Sequence, residues 1–316
     1  MQDPAAGDPI PSIPAPQTEE VQYDNLKAIS WLLLSVVASS AMTIAVRLMS
    51  FDLDPRMIVL LRFGITFAIL LAAIIAVSEL RAKLKFSLPR LHLVRGMCMA
   101  VSTHLGFYAI ANMDLVTVTV LFFMVPIFAT ALSSLVNKER AGPRRLAAIA
   151  ASFVGVLLIL KPGYQPLDIT VFVALLSSVL FAFALINSRK LASADGSFSV
   201  LVSSVTITTL LSLPLAAPVW QMPQSGDVWI VVAVLVVTGL VRLIADIQAY
   251  RLGEASVLAP ITYLRLLLIG GAAYVMFEEV PDALGLVGTA IIAGSALYIA
   301  RREAHLKRQN STGSKI

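Results

Sequence analysis

Charged side chains in the middle of long apolar runs are the features of this chain most able to do chemistry. Arg265 stands ten residues into the apolar segment 255–277, about 15 Å from its start and so near the midplane of a bilayer. A charge at that depth costs on the order of 3 kcal/mol on insertion scales, so it must face water or a partner. Two partners are open: a carboxylate on another segment, or the anionic group of a substrate, which a guanidinium can grip bidentately. Arg242 and Asp246 are four residues apart in segment 228–249, so they share one helical face, and Thr238 extends that face by a turn. They form either a self-satisfied pair lining the bundle or a coupling device. In the second case Asp246 takes and releases a proton, and Arg242 keeps it ionised until substrate competes. His104 lies near the middle of segment 93–111, where it suits a proton relay as well as a hydrogen bond to a neighbouring helix.

Other residues around these charges could shape a pocket. Phe107, Tyr108, Phe123 and Tyr263 either wall a substrate or pack and face lipid. Pro126 and Pro260, inside segments 115–136 and 255–277, free backbone carbonyls and mark either gate elements or fixed kinks. Ser35, Ser39, Thr43 and Arg47 recur every four residues, and Thr130, Ser133, Ser134 and Asn137 form a second polar stripe. Such stripes line water or join helices. Ala147, Ala151 and Gly155, with Ala290 and Gly294, make small-residue ridges that fit close helix packing or a homodimer contact.

No recognised catalytic constellation is present. The chain has no GxGxxG, no Walker loop, no HExxH and no zinc-type spacing. Its one cysteine, Cys98, excludes an internal disulfide and a cysteine metal cluster. No catalytic residue, metal or cofactor is therefore expected, and ATP-driven pumping by this chain alone is not. A membrane-embedded enzyme would need paired catalytic groups near one interface, whereas these charges are scattered through the span. A scaffold or sensor would have little use for three arginines in apolar segments.

The elements that carry these residues follow from composition. The 316 residues are 58% hydrophobic and only 14% charged, with a mean hydropathy of +0.85. That is too apolar to cover a soluble surface. Ten apolar segments are legible, about 28–46, 57–78, 93–111, 115–136, 145–160, 168–187, 198–218, 228–249, 255–277 and 283–300, and in lipid they must be helices. Residues 1–26 carry five prolines and five acids and are expected to be a disordered cytoplasmic tail. Lys and Arg fall sixteen to three in favour of the even-numbered connections plus Arg301, Arg302 and the basic tail at 303–316. This places both termini in the cytoplasm of a multi-pass inner-membrane protein. It also explains the net charge of +5 as loop charge, not as a nucleic-acid surface.

The chain also repeats itself. At an offset of 140, Ala109 meets Ala249, Asp114 meets Glu254, Glu139 meets Glu279 and Lys161 meets Arg301. At 142, Ser35 meets Ser177 and Arg47 meets Arg189. Five helices per half invert the second half relative to the first, as in secondary transporters that alternate access around a midplane site.

The stretch RGMCMAVSTHLGFYAIANMDLVTVTVLFFMVPIFATALSSLVNKERAGPRRLAAIAASFVGVLLILKPG (95–163) resembles the first half of a bacterial drug/metabolite transporter of the EamA type, and LGEASVLAPITYLRLLLIGGAAYVMFEEVPDALGLVGTAIIAGSALYIARRE (252–303) resembles the second. The likeness is strong at Arg62, Glu139, Pro126 and the ASVLAP and EVPDAL segments. It implies an all-α membrane fold of ten helices in two inverted five-helix EamA repeats, 27–163 and 164–302, and gradient-coupled transport or exchange of a small metabolite. Proton coupling would then fall to Asp246 or His104. Arg62 is read equally as structural or as substrate-binding. Arg265, Arg242 and Asp246 depart from the family's usual pattern, so kinship alone does not name the substrate. The arginines favour a carboxylate or phosphate group, as in an amino acid or organic acid; the alternative is a larger aromatic metabolite of the vitamin or nucleoside kind, stacked on the aromatic side chains.

Overall fold

In a computed structural model, the described residues are 24–136, 143–160, 168–252, 258, 261–280 and 282–313. Pro260 and residues 1–23, 137–142 and 161–167 lie outside them, and with them the expectations for Pro260, for the N-terminal tail and for Glu139. The described residues are helical, with no strand among them. The helices are α1 (Asn25–Met49), α2 (Pro55–Ala76), α3 (Ser78–Ala82), α4 (Pro89–Asn112), α5 (Leu115–Phe122), α6 (Met124–Val136), α7 (Pro143–Leu160), α8 (Ile169–Ala216), α9 (Gly226–Leu252), α10 (Leu264–Phe277) and α11 (Ala283–Gly313). Seven helical stretches are long and apolar enough to cross a membrane; three shorter apolar ones are Ala147–Ile159, Leu264–Phe277 and Ala283–Tyr298.

Local chemistry sets several boundaries. Asp24, Asp54 and Asp168 each accept a hydrogen bond from a backbone N–H in the first turn of α1, α2 and α8, which satisfies donors that a helix start leaves open. Pro55 and Pro89 occupy first positions, where a missing N–H costs nothing. Segment 115–136 is not continuous. Pro126 cannot donate to the carbonyl of Phe122, and helical bonding is interrupted at Phe123 between α5 and α6. The connection expected between segments 168–187 and 198–218 is instead helical, and the turn is made at Gly196, whose φ of 83° suits glycine. The run RKLASA that precedes it is rich in helix formers, which is why no loop opens there. The basic tail likewise continues α11 as far as Gly313.

The bundle is apolar outside and partly polar inside. Ile75, Ile230, Leu267 and Val275 are each at least 64% exposed, whereas Ser35, Thr43, Ser102, Ser177, Thr208 and Ser212 are buried. In water this distribution would be unstable; in lipid it is what an integral membrane protein requires. Helix α1 packs along α9, and α4 packs along α8. Close approach of α7 and α11 depends on Gly155 and Gly288, since a Cβ on either would meet the other's carbonyl oxygen at 2.8 and 2.6 Å. Gly155, the last member of the small-residue ridge of α7, thus serves packing within the chain.

Candidate functional site

Three helices bring three guanidinium groups into one neighbourhood. Arg62 comes from the second turn of α2, Arg242 from the C-terminal half of α9, and Arg265 from the start of α10. The charge of Arg242 bears on both Arg62 and Arg265, and that of Asp246 bears on Arg265. Among the described residues, Asp246 is the one carboxylate tied into the group: its Oδ2 lies 3.6 Å from Nε of Arg242, and its Oδ1 accepts a hydrogen bond from Ser35. The four-residue spacing that suggested an Arg242–Asp246 pair therefore produces one.

Arg62 and Arg265 have no carboxylate at ion-pair distance among the described residues. Arg62 is held by rings and by a missing side chain. Its guanidinium carbon lies 4.9 Å from the ring centroid of Phe63 and 5.6 Å from that of Phe107, a cation–π arrangement. On the opposite wall is Gly239 of α9, where a Cβ would come within 3.0 Å of Nη2. Arg265 donates from Nη2 to the Thr43 hydroxyl at 2.9 Å, and its buried Nε has no hydrogen-bond partner. Of the two partners open to Arg265 from sequence, an internal acid is thus not found in contact with it among the described residues. The stripe on α1 contributes in two ways: Ser35 and Thr43 reach Asp246 and Arg265, while Ser39 and Ser40 bond back to the carbonyl of Val36.

The other expected site residues divide between the cluster and elsewhere. Phe107 joins through Arg62. Phe123 and Tyr263 stack on each other, with centroids 4.9 Å apart and planes at 20°, and Tyr263 is two residues from Arg265. His104 is bonded through Nε2 to the Ser212 hydroxyl on α8 at 2.9 Å, with Nδ1 buried and unpartnered; no contact joins it to the arginines. Tyr108 is 42% exposed on the outside of the bundle. Pro126 sets the α5–α6 break described above. A groove of about 440 Å³ between α7 and α11, lined by Ala148, Ala290 and Gly294 among others, contains none of these charges.

Two further polar contacts tie the first half of the chain to the second, and neither was singled out from sequence. At one end of the bundle, Arg47 of α1 donates to the carbonyls of Ile110 and Ala111 and lies 3.6 Å from Glu279, which accepts from the Leu115 N–H at 2.7 Å. Burial pushes the Glu279 carboxyl above the ordinary 4.5. At the other end, Asp195 accepts from the N–H and hydroxyl of Ser87 and from Nε2 of His92, whose Nδ1 lies 2.8 Å from the Ser203 hydroxyl. The repeat offset that paired Glu279 with Glu139 was the available signal for the first contact. The second joins residues more than 100 apart, and nothing local in the sequence marks it.

The chain is similar to known transporter proteins. Residues 26–161 match the EamA-like transporter family. Over 278 residues the chain is 28% identical to the S-adenosylmethionine uptake transporter of Rickettsia conorii, covering 88% of this chain and 94% of that one. It is 25% identical over 295 residues to the riboflavin transporter of Vibrio cholerae, covering 92% and 98%. It is 28% identical over 213 residues to the pseudopaline exporter of Pseudomonas aeruginosa, covering 66% and 74%. A solved crystal structure with 19% identity matches in fold at a TM-score of 0.59, covering 89% of this chain and 99% of its own.

Proposed function

We propose that this chain, an EamA-type membrane protein by its residues 26–161, is a secondary transporter of a small metabolite that carries a carboxylate or other anionic group. The observation that carries this reading is charge: three guanidinium groups, from α2, α9 and α10, share a neighbourhood in which Arg242 pairs with Asp246, and among the described residues Arg62 and Arg265 have no carboxylate at ion-pair distance. Uncompensated charge in a membrane bundle is costly, and an incoming anion relieves that cost at the place where it binds. The substrate anion competes with Asp246 for Arg242 and is gripped by Arg62 and Arg265, with the free Nε of Arg265 as one donor.

A second feature favours a substrate that also carries a ring. Two relatives are named as transporters of S-adenosylmethionine and riboflavin, both of which contain fused heteroaromatic rings. S-adenosylmethionine combines such a ring with an α-carboxylate. In this reading the ten apolar helices form two inverted five-helix repeats that alternate access across the bacterial inner membrane, with both termini cytoplasmic. Asp246, once displaced from Arg242, is the group that exchanges a proton.

Uptake of labelled S-adenosylmethionine into proteoliposomes, competed by amino acids and organic acids and by their methyl esters, tests the reading. The free acids should inhibit and the esters should not. Equal inhibition by acid and ester would remove the anionic group from recognition.

A further inference from the structure

Phe123 and Tyr263 are separated by 140 residues, the same offset that aligns Ala109 with Ala249 and Glu139 with Glu279. They occupy equivalent places in the two halves. At each, helical bonding is interrupted for one residue, between α5 and α6 at Phe123 and immediately before α10 at Tyr263. Their backbones agree as well, with φ −69° and ψ −8° at Phe123 and φ −74° and ψ −15° at Tyr263. Their rings are in contact with each other. Two residues exchanged by a two-fold axis can touch only where that axis passes between them.

From this we infer that the Phe123–Tyr263 stack lies on the axis relating the two halves and is the fixed pivot about which they rock, an inference that rests on the alternating-access reading above. In an inverted repeat, the opposite-facing state arises when each half takes the other's conformation. Every contact is then replaced by the contact between the equivalent residues. For Arg47 and Glu279 that means giving up the pair and making another at the opposite end of the bundle. For Phe123 and Tyr263 the replacement is the same pair, so the stack persists through the cycle. The one-residue breaks at both positions supply the bend that each helix needs to move about a stationary ring. The role is distinct from that of a substrate wall, which would have to part as substrate passes.

The experiment uses full-length protein in lipid nanodiscs, with Cys98 replaced by alanine. One variant carries Phe123→Cys and Tyr263→Cys, a second Phe51→Cys and Phe277→Cys, whose rings lie 6.3 Å apart beside Arg47, and each is bridged by a short dithiol-reactive linker. Hydrogen–deuterium exchange is followed at the amides of Leu115 and Ser87, whose bonds to Glu279 and Asp195 close the two ends of the bundle. In the chain without a bridge, both amides should exchange through opening. The 123–263 bridge should leave both rates within about twofold, and the 51–277 bridge should slow Leu115 about tenfold or more. Slowing of either amide about tenfold by the 123–263 bridge would overturn the pivot while leaving alternating access in place. An unbridged chain in which neither amide opens would overturn alternating access, and the pivot with it. Should the cysteine pair fail to fold, the exchanged pair Phe123→Tyr with Tyr263→Phe serves. A pivot that maps onto itself tolerates the exchange with both amide rates within about twofold, and a shift of about tenfold in their ratio refutes it.

Discussion

Replacing Gly239 by alanine is expected to separate folding from substrate binding, because the two respond with opposite sign. A Cβ at this position would stand 3.0 Å from Nη2, 3.2 Å from Nε and 3.5 Å from Cζ of Arg62. The first two are inside ordinary contact distance, so the guanidinium must retreat by a few tenths of an ångström, and it is the free end of a long side chain that can do so. Alanine in a helix interior is favoured over glycine by about 1 kcal/mol, so the melting temperature of ligand-free protein should hold or rise. Binding should suffer, since a charge-assisted hydrogen bond of about 1.5–3 kcal/mol depends on where that guanidinium sits. A loss of that size weakens affinity roughly 10- to 150-fold. Differential scanning fluorimetry of the ligand-free variant and calorimetric titration with S-adenosylmethionine measure the two effects on one preparation. An unchanged dissociation constant beside an unchanged melting temperature would refute Arg62 as a substrate ligand.

Three further outcomes are expected. Glu279 holds its proton more tightly in the folded chain than in the unfolded one, because burial raises it. It therefore contributes stability that is present below about pH 4.5 and lost as pH rises through the raised value; the corresponding slope of melting temperature against pH should flatten in Glu279→Gln, and an unaltered slope would exclude this group. Asp195→Ala removes the acceptor for Ser87 and His92 in a site where Asp195 is 2% exposed, which should lower the midpoint of denaturant unfolding by leaving their donors unpaired; an unchanged midpoint would contradict a buried role. Reporter fusions after Ala300 and within Arg81–Arg90 should report cytoplasm and one at Gln221–Gly226 the outside, so phosphatase activity from the Ala300 fusion would overturn the orientation drawn from charge.

What could be read from sequence was the local part of this molecule. Arg242 and Asp246 pair because four residues make one turn, and the polar stripe on α1 faces inward because lipid rejects it. The convergence of Arg62 with Arg242 and Arg265 could not be read, since it is set by how α2, α9 and α10 cross, and no periodicity encodes that crossing. Arg47 illustrates the same limit: by position it is an end-of-helix charge, yet it bonds two carbonyls and faces Glu279, 232 positions away in the chain. The break at Phe123 lies between these cases. Pro126 announces an interruption three to four residues upstream, but only packing decides that the freed turn brings Phe123 onto Tyr263.

The central claim, that the arginine cluster receives the anionic group of a substrate, is tested most directly at Arg265. Arg265→Gln retains length and some hydrogen bonding but deletes the charge. Its affinity for S-adenosylmethionine, measured by calorimetry beside the melting temperature of the ligand-free protein, separates a binding role from a structural one. Losing a desolvated charge pair costs about 2–5 kcal/mol, so affinity should fall roughly 30- to 5,000-fold while the melting temperature holds. Unchanged affinity with a lowered melting temperature would contradict the account and make Arg265 a structural charge.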